Sequence, residues 1–563
     1  MSQPEIFRSH APAPLPPHSI AIPAARETVL ANGLSVVVVE DHRLPLVSYR
    51  LAFRVGGAFD PPGLPGLTDL LAGLLPEGTE SKTSRELADE VARMGASLSA
   101  GANSDYTIVA ASALSRFNDE ILGLMAEVVL QPSFPENEVE LAKQNTKESL
   151  RQQRAQPSFL ASEMVSRVMF GDHPYSVVAP TPESIDRATR DEFVKFHRAR
   201  FVPNSAVFIV VGDVKQEQIV KRVESLFSTW ERGADLVTNF PAPPVRTRRT
   251  AYLVDRRGSA QSNIVVANSS IIRTSPDYFP MLLMHTVLGA NASSRLFMNL
   301  REEKGYTYGA YTNLDARRTA GSFRATAEVR TPVTGDSLKE FLYELDRISK
   351  EPVSEKEIND AKSYLTGVFP IRLETQEGLT DQLVQIKMLN LPDDYLQHYR
   401  DRVQAVTVAD IQRVAAKYVK PDEAAVIVVG DGAAVLDQIK PYCPDIEIYN
   451  TSGKRKSLDA PATTDIEGTW SIEVETPLGQ SIPATLTLTR ESQGFVAKIV
   501  SEMGTADLGA VNVNDNSFRT TTFLEMDGHS VEAEIFARFH GDQTEGTLKL
   551  QNSPSLPFTG SKD

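Results

Sequence analysis

Two stretches of this chain repeat one another, and that repeat limits the possible folds more than any other feature. Residues Thr189–Asp213 read TRDEFVKFHRARFVPNSAVFIVVGD, and Thr407–Asp431 read TVADIQRVAAKYVKPDEAAVIVVGD; they align without a gap, 218 residues apart. Each opens on an amphipathic helix, with Phe193, Phe196 and Phe201 on the first and Ile411, Val414 and Val419 on the second. Each then passes a proline turn, runs through an apolar strand and stops at Gly-Asp. Shared punctuation over 25 ungapped positions points to a duplication, so we expect two homologous α/β units of roughly 210 residues each.

The first unit is expected over residues 27–232. Leu34–Glu40 and Val47–Val55 are Val-rich and separated by a turn, which predicts strands. Pro65–Leu75 reads as a helix, Thr83 and Glu86 form a capping box for the next one, and Gly95 is its stop. Ala96–Ala113 alternates as two strands, and helices follow over Phe117–Leu130 and Glu136–Gln153. Strand runs and helix runs are segregated, which favours an α+β fold with largely antiparallel sheet.

Residues 233–249 are polar and Pro-rich, a linker to a second unit over residues 250–450. A second linker, 451–464, leads to residues 465–563, where short alternating segments are separated by Gly, Asn, Asp or Pro. That pattern predicts a small all-β sandwich or barrel, with Trp470 plugging one end of its core. Residues 1–26 are rich in Pro and Ala, without a basic start and apolar run, so they read as a flexible arm and not a secretory signal. No run of about 18 apolar residues exists, so no membrane span is expected, and the cytoplasm is the expected compartment.

A net charge of −15 argues against a nonspecific nucleic-acid binder. The basic clusters Arg246–Arg249 and Lys454–Lys456 fall in linkers and read as solvated charge. The single cysteine, Cys443, excludes both a disulfide framework and a cysteine zinc site, and reads as structural. No two of the nine histidines lie three or four residues apart, so no helix carries a His pair for a metal. Nucleotide-cradling and serine-nucleophile motifs are also absent.

Gly66–Thr79 reads GLTDLLAGLLPEGT. It resembles the zinc-binding helix of the pitrilysin/insulysin/processing-peptidase family, whose pattern is Gly-Leu-x-His-x-x-Glu-His followed by Gly-Thr. In that pattern two imidazoles on one helix face hold Zn²⁺ and the Glu acts as general base on its water. The corresponding positions here are Asp69, Ala72 and Gly73, so both imidazoles and the base are gone, while Gly66, Leu67, Leu74, Leu75, Gly78 and Thr79 are kept. Glu148 stands at the spacing of the family's third ligand, and it also reads simply as a solvated helix charge. Gly171–Tyr175 (GDHPY) resembles the family's His-Pro-Tyr turn, where His173 reads as a turn-stabilising hydrogen bonder; His285 reads as a core histidine. Leu288–Tyr311, LGANASSRLFMNLREEKGYTYGAY, resembles the family's second-half signature.

The resemblance covers Glu27 to Tyr449 and implies duplicated halves forming a clam-like chamber, with the β unit outside it. It implies that Arg301 holds the substrate backbone and that Tyr308, seven residues later, stabilises an oxyanion; a phenol donor and a guanidinium fork suit those roles. The bland alternative is that Arg301 pairs with a neighbouring carboxylate and Tyr308 packs. With the second signature kept and the first lost, the expected function is that of a non-catalytic, substrate-binding subunit of a heteromeric zinc peptidase. This chain then binds no metal; zinc belongs to a homologous partner with an intact His-x-x-Glu-His, and the substrates are peptides or small unfolded polypeptides. The alternative is a scaffold or peptide-binding protein with no part in proteolysis.

Overall fold

The computed structural model describes residues 22–456, 466–476, 481–491, 494–501, 504–511, 513–514, 516–526, 529–550 and 555–562. Most of the expected arm and most of the second linker lie outside these residues. Residues are grouped into two compact units, one up to Glu447 and one holding the C-terminal β region. Both halves of the duplication therefore fall within the first unit.

The first half contains strands β1 (Arg26–Val29), β2 (Ser35–Glu40), β3 (Leu46–Phe53), β4 (Ser97–Ala102), β5 (Thr107–Leu114) and β6 (Ala206–Gly212). Its helices are α1 (Leu67–Leu74), α2 (Ser84–Arg93), α3 (Asn118–Leu130), α4 (Glu136–Arg154), α5 (Pro157–Phe170), α6 (Pro182–Arg187), α7 (Arg190–Arg200) and α8 (Gln216–Phe227). The second half holds β7 (Thr250–Asp255), β8 (Gln261–Ser270), β9 (Thr307–Ala316), β10 (Gly321–Arg330) and β11 (Ala425–Gly430). Its helices are α9 (Tyr278–Gly289), α10 (Arg295–Phe297), α11 (Thr334–Lys350), α12 (Glu355–Leu373), α13 (Gln376–Met388), α14 (Tyr395–Ala405), α15 (Val408–Tyr418) and α16 (Gly432–Ile439).

The two sheets share one topology. The first runs β1-β2-β6-β3-β5-β4 and the second contains the run β7-β11-β8-β10-β9. In each, one parallel pair, β2 with β6 and β7 with β11, sits beside antiparallel neighbours. The repeat detected in sequence folds as α7–β6 and α15–β11, and Thr189 and Thr407 cap the two helices. Both β6 and β11 are buried along their whole length. A strand with no polar alternation needs cover on both faces.

That cover is exchanged between the halves. Helix α13 packs on β3 and β6 of the first half, and α5 packs on β8 and β11 of the second. The two helices lie 218 residues apart, the spacing of the repeat, so they are equivalent elements traded across a pseudo-twofold arrangement. Polar contacts fasten the exchange: Arg50 Nε to Asp381 at 3.0 Å, Gln376 Nε2 to the Asp41 carbonyl at 3.2 Å, Lys387 to Glu27 at 2.7 Å, and Arg324 to Ser166 at 3.4 Å. The Pro-rich segment 231–249 has no regular structure but is pinned, with Phe240 against Phe59 and His173.

In the second unit nine strands form one antiparallel sheet. Gly468–Glu475 pairs with both Ser481–Glu491 and the last strand, Leu556–Lys562. Gly504–Val511 and Ser517–Met526 come together, with Thr522 Oγ1 donating to the Asp507 carbonyl at 3.0 Å, so the meander curls back on itself. Trp470 is buried in its core against Phe539, and its indole N–H donates to the Ile466 carbonyl at 3.0 Å.

Candidate functional site

Helix α1 keeps its frame for reasons of folding. Gly66 holds a φ of +89° at its N-cap, and a Cβ there would meet Pro180 at 2.7 Å. The Asp60 carboxylate accepts from the Gly66 and Thr68 amides at 2.6 and 2.9 Å and from the Thr68 hydroxyl at 2.5 Å, satisfying the first turn. Leu67, Leu70, Leu71, Leu74 and Leu75 are buried. Thr79 donates to Glu127, which also pairs with Lys82 at 2.7 Å. The retained motif residues are thus those that seat the helix.

The positions that would carry chemistry are bare. Ala72 is buried; Asp69 and Gly73, one turn apart on the same face, are exposed. A Cβ at Gly73 would meet nothing within 4 Å. Glu148, on α4, is taken up on its own helix by Arg151 at 3.7 Å and Gln152 at 3.5 Å. Among the described residues no three His, Cys, Asp or Glu side chains are grouped to hold a metal ion. An Asp, an Ala and a Gly do not fit Zn²⁺, which wants imidazole or thiolate donors in a tetrahedral set.

What stands there is a trough of about 370 Å³ lined by Arg50, Asp69, residues 99–103, Tyr106, Ile108 and Ala110. Register places Ser99 and Gly101 of β4 beside Ala110 and Ile108 of β5, and Arg50 of β3 beside Ala110, all on one sheet face. Helix α13 covers β3 and β6 and leaves this face of β4 and β5 open. Strand β4 is the edge of the sheet, so one side of its backbone is unpaired. Asp69 is exposed as a side chain, yet partial desolvation beside β4 raises its carboxyl above the ordinary range, offset in part by the Ala102 N–H. Burial also raises the Tyr106 phenol. Sequence reasoning missed Arg50 and Tyr106; an Arg inside the apolar strand LVSYRLAF was the available signal.

Arg301 and Tyr308 lie in the second half, around the other sheet edge. Met298–Glu303 is a π-helical turn carrying Arg301, followed by Gly305 at φ +64° and then β9, the edge strand. Two anchors hold the turn: Arg295 makes a two-pronged pair with Glu357 at 2.6 and 3.0 Å, and Asn299 donates to Glu340 and Glu344 at 3.0 Å each. Arg301 lies over the Phe297 ring and pairs with Glu302 at 3.4 Å, so a neighbouring carboxylate does engage it. Tyr308 does not pack. It is 89% exposed, at the start of β9 and within a bulge of that strand, where Tyr308 and Gly309 oppose Glu328 of β10.

His173 is a turn former: its Nδ1 accepts from the Tyr175 amide at 3.1 Å, and its Nε2 meets Thr319 of the other half at 3.1 Å. Tyr175 donates to Asp105, which also accepts from the Arg318 amide at 3.2 Å, so this turn belongs to the clasp between the halves. His285 is packed beside Thr312. Cys443 is buried, and burial pushes its thiol up to about 11, which makes it unreactive.

Fold and site define a class: a duplicated α/β peptidase frame whose metal-bearing helix lacks metal-binding side chains. Residues 35–181 match the family model described as insulinase (peptidase family M16), and residues 187–365 match that described as the peptidase M16 inactive domain. The chain belongs to this insulinase, or M16, family. An uncharacterized zinc protease of Streptomyces coelicolor is 24% identical over 70% of this chain and 87% of its own length. The non-peptidase homolog YmxG of Helicobacter pylori is 24% identical, over 67% and 87%. A solved structure described as the peptidase M16 inactive domain from Pseudomonas fluorescens matches with TM-score 0.68 at 25% identity, covering 72% of this chain and 98% of that one. A protease from Helicobacter pylori matches in fold with TM-score 0.68 at 20% identity, over 72% and 100%. The residues at positions 69, 72 and 73, the inactive-domain match and the non-peptidase relative agree on a non-catalytic member of the family.

Proposed function

We propose that this chain is the substrate-binding subunit of a heteromeric zinc metallopeptidase that acts on peptides or small unfolded polypeptides. A homologous partner with an intact His-x-x-Glu-His helix holds the zinc and supplies the general base. This chain contributes Arg301 and Tyr308 to the partner's site and closes the chamber around the substrate. The observation that carries the reading is Tyr308: a large phenol, 89% exposed, following a turn anchored by two part-buried polar contacts, with no hydrogen bond or ring contact among the described residues. Edge strand β4 with its open trough supports it, because an unpaired strand edge accepts an extended peptide through main-chain hydrogen bonds. No helix among the described residues is long and apolar enough to cross a membrane. The cytoplasm is part of the proposal, carried over from the reading of residues 1–26.

The test is a peptidase assay with a quenched peptide library and zinc measured by elemental analysis, on the chain alone and co-expressed with an intact-motif homologue. Cleavage only on pairing is expected. Stoichiometric zinc and chelator-sensitive cleavage by the chain alone would refute the proposal. The Arg301–Glu302 pair favours a second reading, a scaffold or peptide-binding protein outside proteolysis. In that case Tyr308→Phe leaves the activity of any complex unchanged.

A further inference from the structure

The trough beside α1 carries one uncompensated charge. Its charged lining residues are Arg50 and Asp69. Arg50 is already spent: Nε pairs with Asp381 at 3.0 Å, and Nη1 donates to Ser48 Oγ at 3.1 Å and to the Tyr49 carbonyl at 3.0 Å. Asp69 has no ion-pair partner among the described residues, and only the Ala102 N–H offsets its partial desolvation. Asp60, one loop earlier, is committed to the helix N-terminus. The floor is small and apolar, through Ile108, Ala110 and Gly101, and Gly73 leaves the space one turn beyond Asp69 open. Asp69 is an exposed side chain, but the walls of the concavity strip part of its carboxylate's hydration, so a counter-charge placed there gains somewhat more than on a fully open surface.

A metal ion does not meet this need, because a hard cation wants several oxygen ligands and only one carboxylate faces the trough. An organic cation does: one carboxylate, a hydroxyl and backbone carbonyls suit an ammonium or guanidinium on a chain that also pairs with β4. Resting on the peptide-binding reading above, we infer that Asp69 turns the emptied metal position into a subsite for a positively charged group of the peptide, a basic side chain or the N-terminal amine. The loss of the imidazoles is then an exchange of one ligand class for another.

The test measures binding of fluorescein-labelled extended peptides to the full chain. All share one neutral sequence; two are blocked at both ends, one with a central Lys and its counterpart with acetyl-lysine, and a third, without the Lys, is blocked only at its C-terminus and keeps a free N-terminal amine. The Lys or the free-amine peptide should bind about tenfold more tightly than the neutral one, and whichever does identifies the source of the cation. In Asp69→Asn that preference should vanish while the neutral peptide binds as before, and Asp69→Lys should prefer a Glu-bearing peptide. Equal binding of all three by the native chain, or a preference that survives Asp69→Asn, overturns the inference and leaves the peptide-binding reading standing. Failure of every peptide to bind overturns both.

Discussion

Two buried histidines, His173 and His197, and the half-buried His285 set how this chain responds to acid. Burial pushes His197 down to about 4, despite its bond to the Val129 carbonyl, and pushes His285 down to about 4. Burial lowers His173 as well. In the unfolded chain each titrates near 6.5. Below that value the unfolded state binds protons that the folded state refuses, so stability is full above about pH 6.5 and falls as pH drops toward 4. At roughly 1.4 kcal/mol per pKa unit the loss is on the order of several kcal/mol. Urea midpoints measured from pH 7.5 down to 5 should decline steadily, and a flat profile contradicts the burial argument. A second acid limb lies lower. Burial opposes the charge on Asp277 and Glu357, yet bonds from Arg413, Tyr418 and Lys417 to the first and from Arg295 and Ser354 to the second hold each at about 2. Depressed carboxyls give stability above their unfolded value that is lost as pH falls through the folded one. Glu357→Gln should therefore destabilise the chain at neutral pH and flatten its acid limb below about 4.5, read from the same urea series. At the proposed functional residues, Tyr308→Phe should cut turnover of the paired enzyme by about 10²-fold without moving the urea midpoint. A shifted midpoint would show that Tyr308 is structural.

Helices α5 and α13 are the elements on which the molecule depends. Val165 and Leu383 occupy equivalent positions of the repeat, and both are buried, at 1% and 6% exposure. Leu383→Ala should cost about 2–4 kcal/mol and Val165→Ala somewhat less. Because each helix covers the other half's sheet, either change should shift the unfolding of both halves together. Two separate transitions for the two halves would show that the exchange is not the coupling. Local capping matters less: Thr407→Ala removes the cap of α15 and should cost about 1 kcal/mol.

The two compact units each hold one tryptophan, Trp230 in the first and Trp470 in the second. Trp230→Phe and Trp470→Phe therefore let fluorescence follow each unit alone. The second unit pairs its first long strand with its last and encloses its own apolar core. A fragment of residues 457–563 should melt at the temperature reported by Trp470 in the full chain. A fragment of residues 22–232 lacks the helix that covers β3 and β6 and should not fold unless residues 233–456 are supplied with it.

Much of this was legible before any coordinates. The duplication, the strands and helices of the first half, the Thr83–Glu86 capping box and the all-β C-terminal unit follow from periodicity and punctuation, which act over a few residues and are written in order along the chain. The emptied metal helix was legible too, because residue identity alone says which side chains can bind zinc. The exchange of α5 and α13 was not. An apolar strand announces that both its faces need cover, but the helix that supplies it is chosen by contacts between residues hundreds of positions apart. The trough was hidden for the same reason: Arg50, Asp69 and Asp381 are distant in sequence, and only the packed sheet shows that one carboxylate is spent on an arginine while the other faces open space.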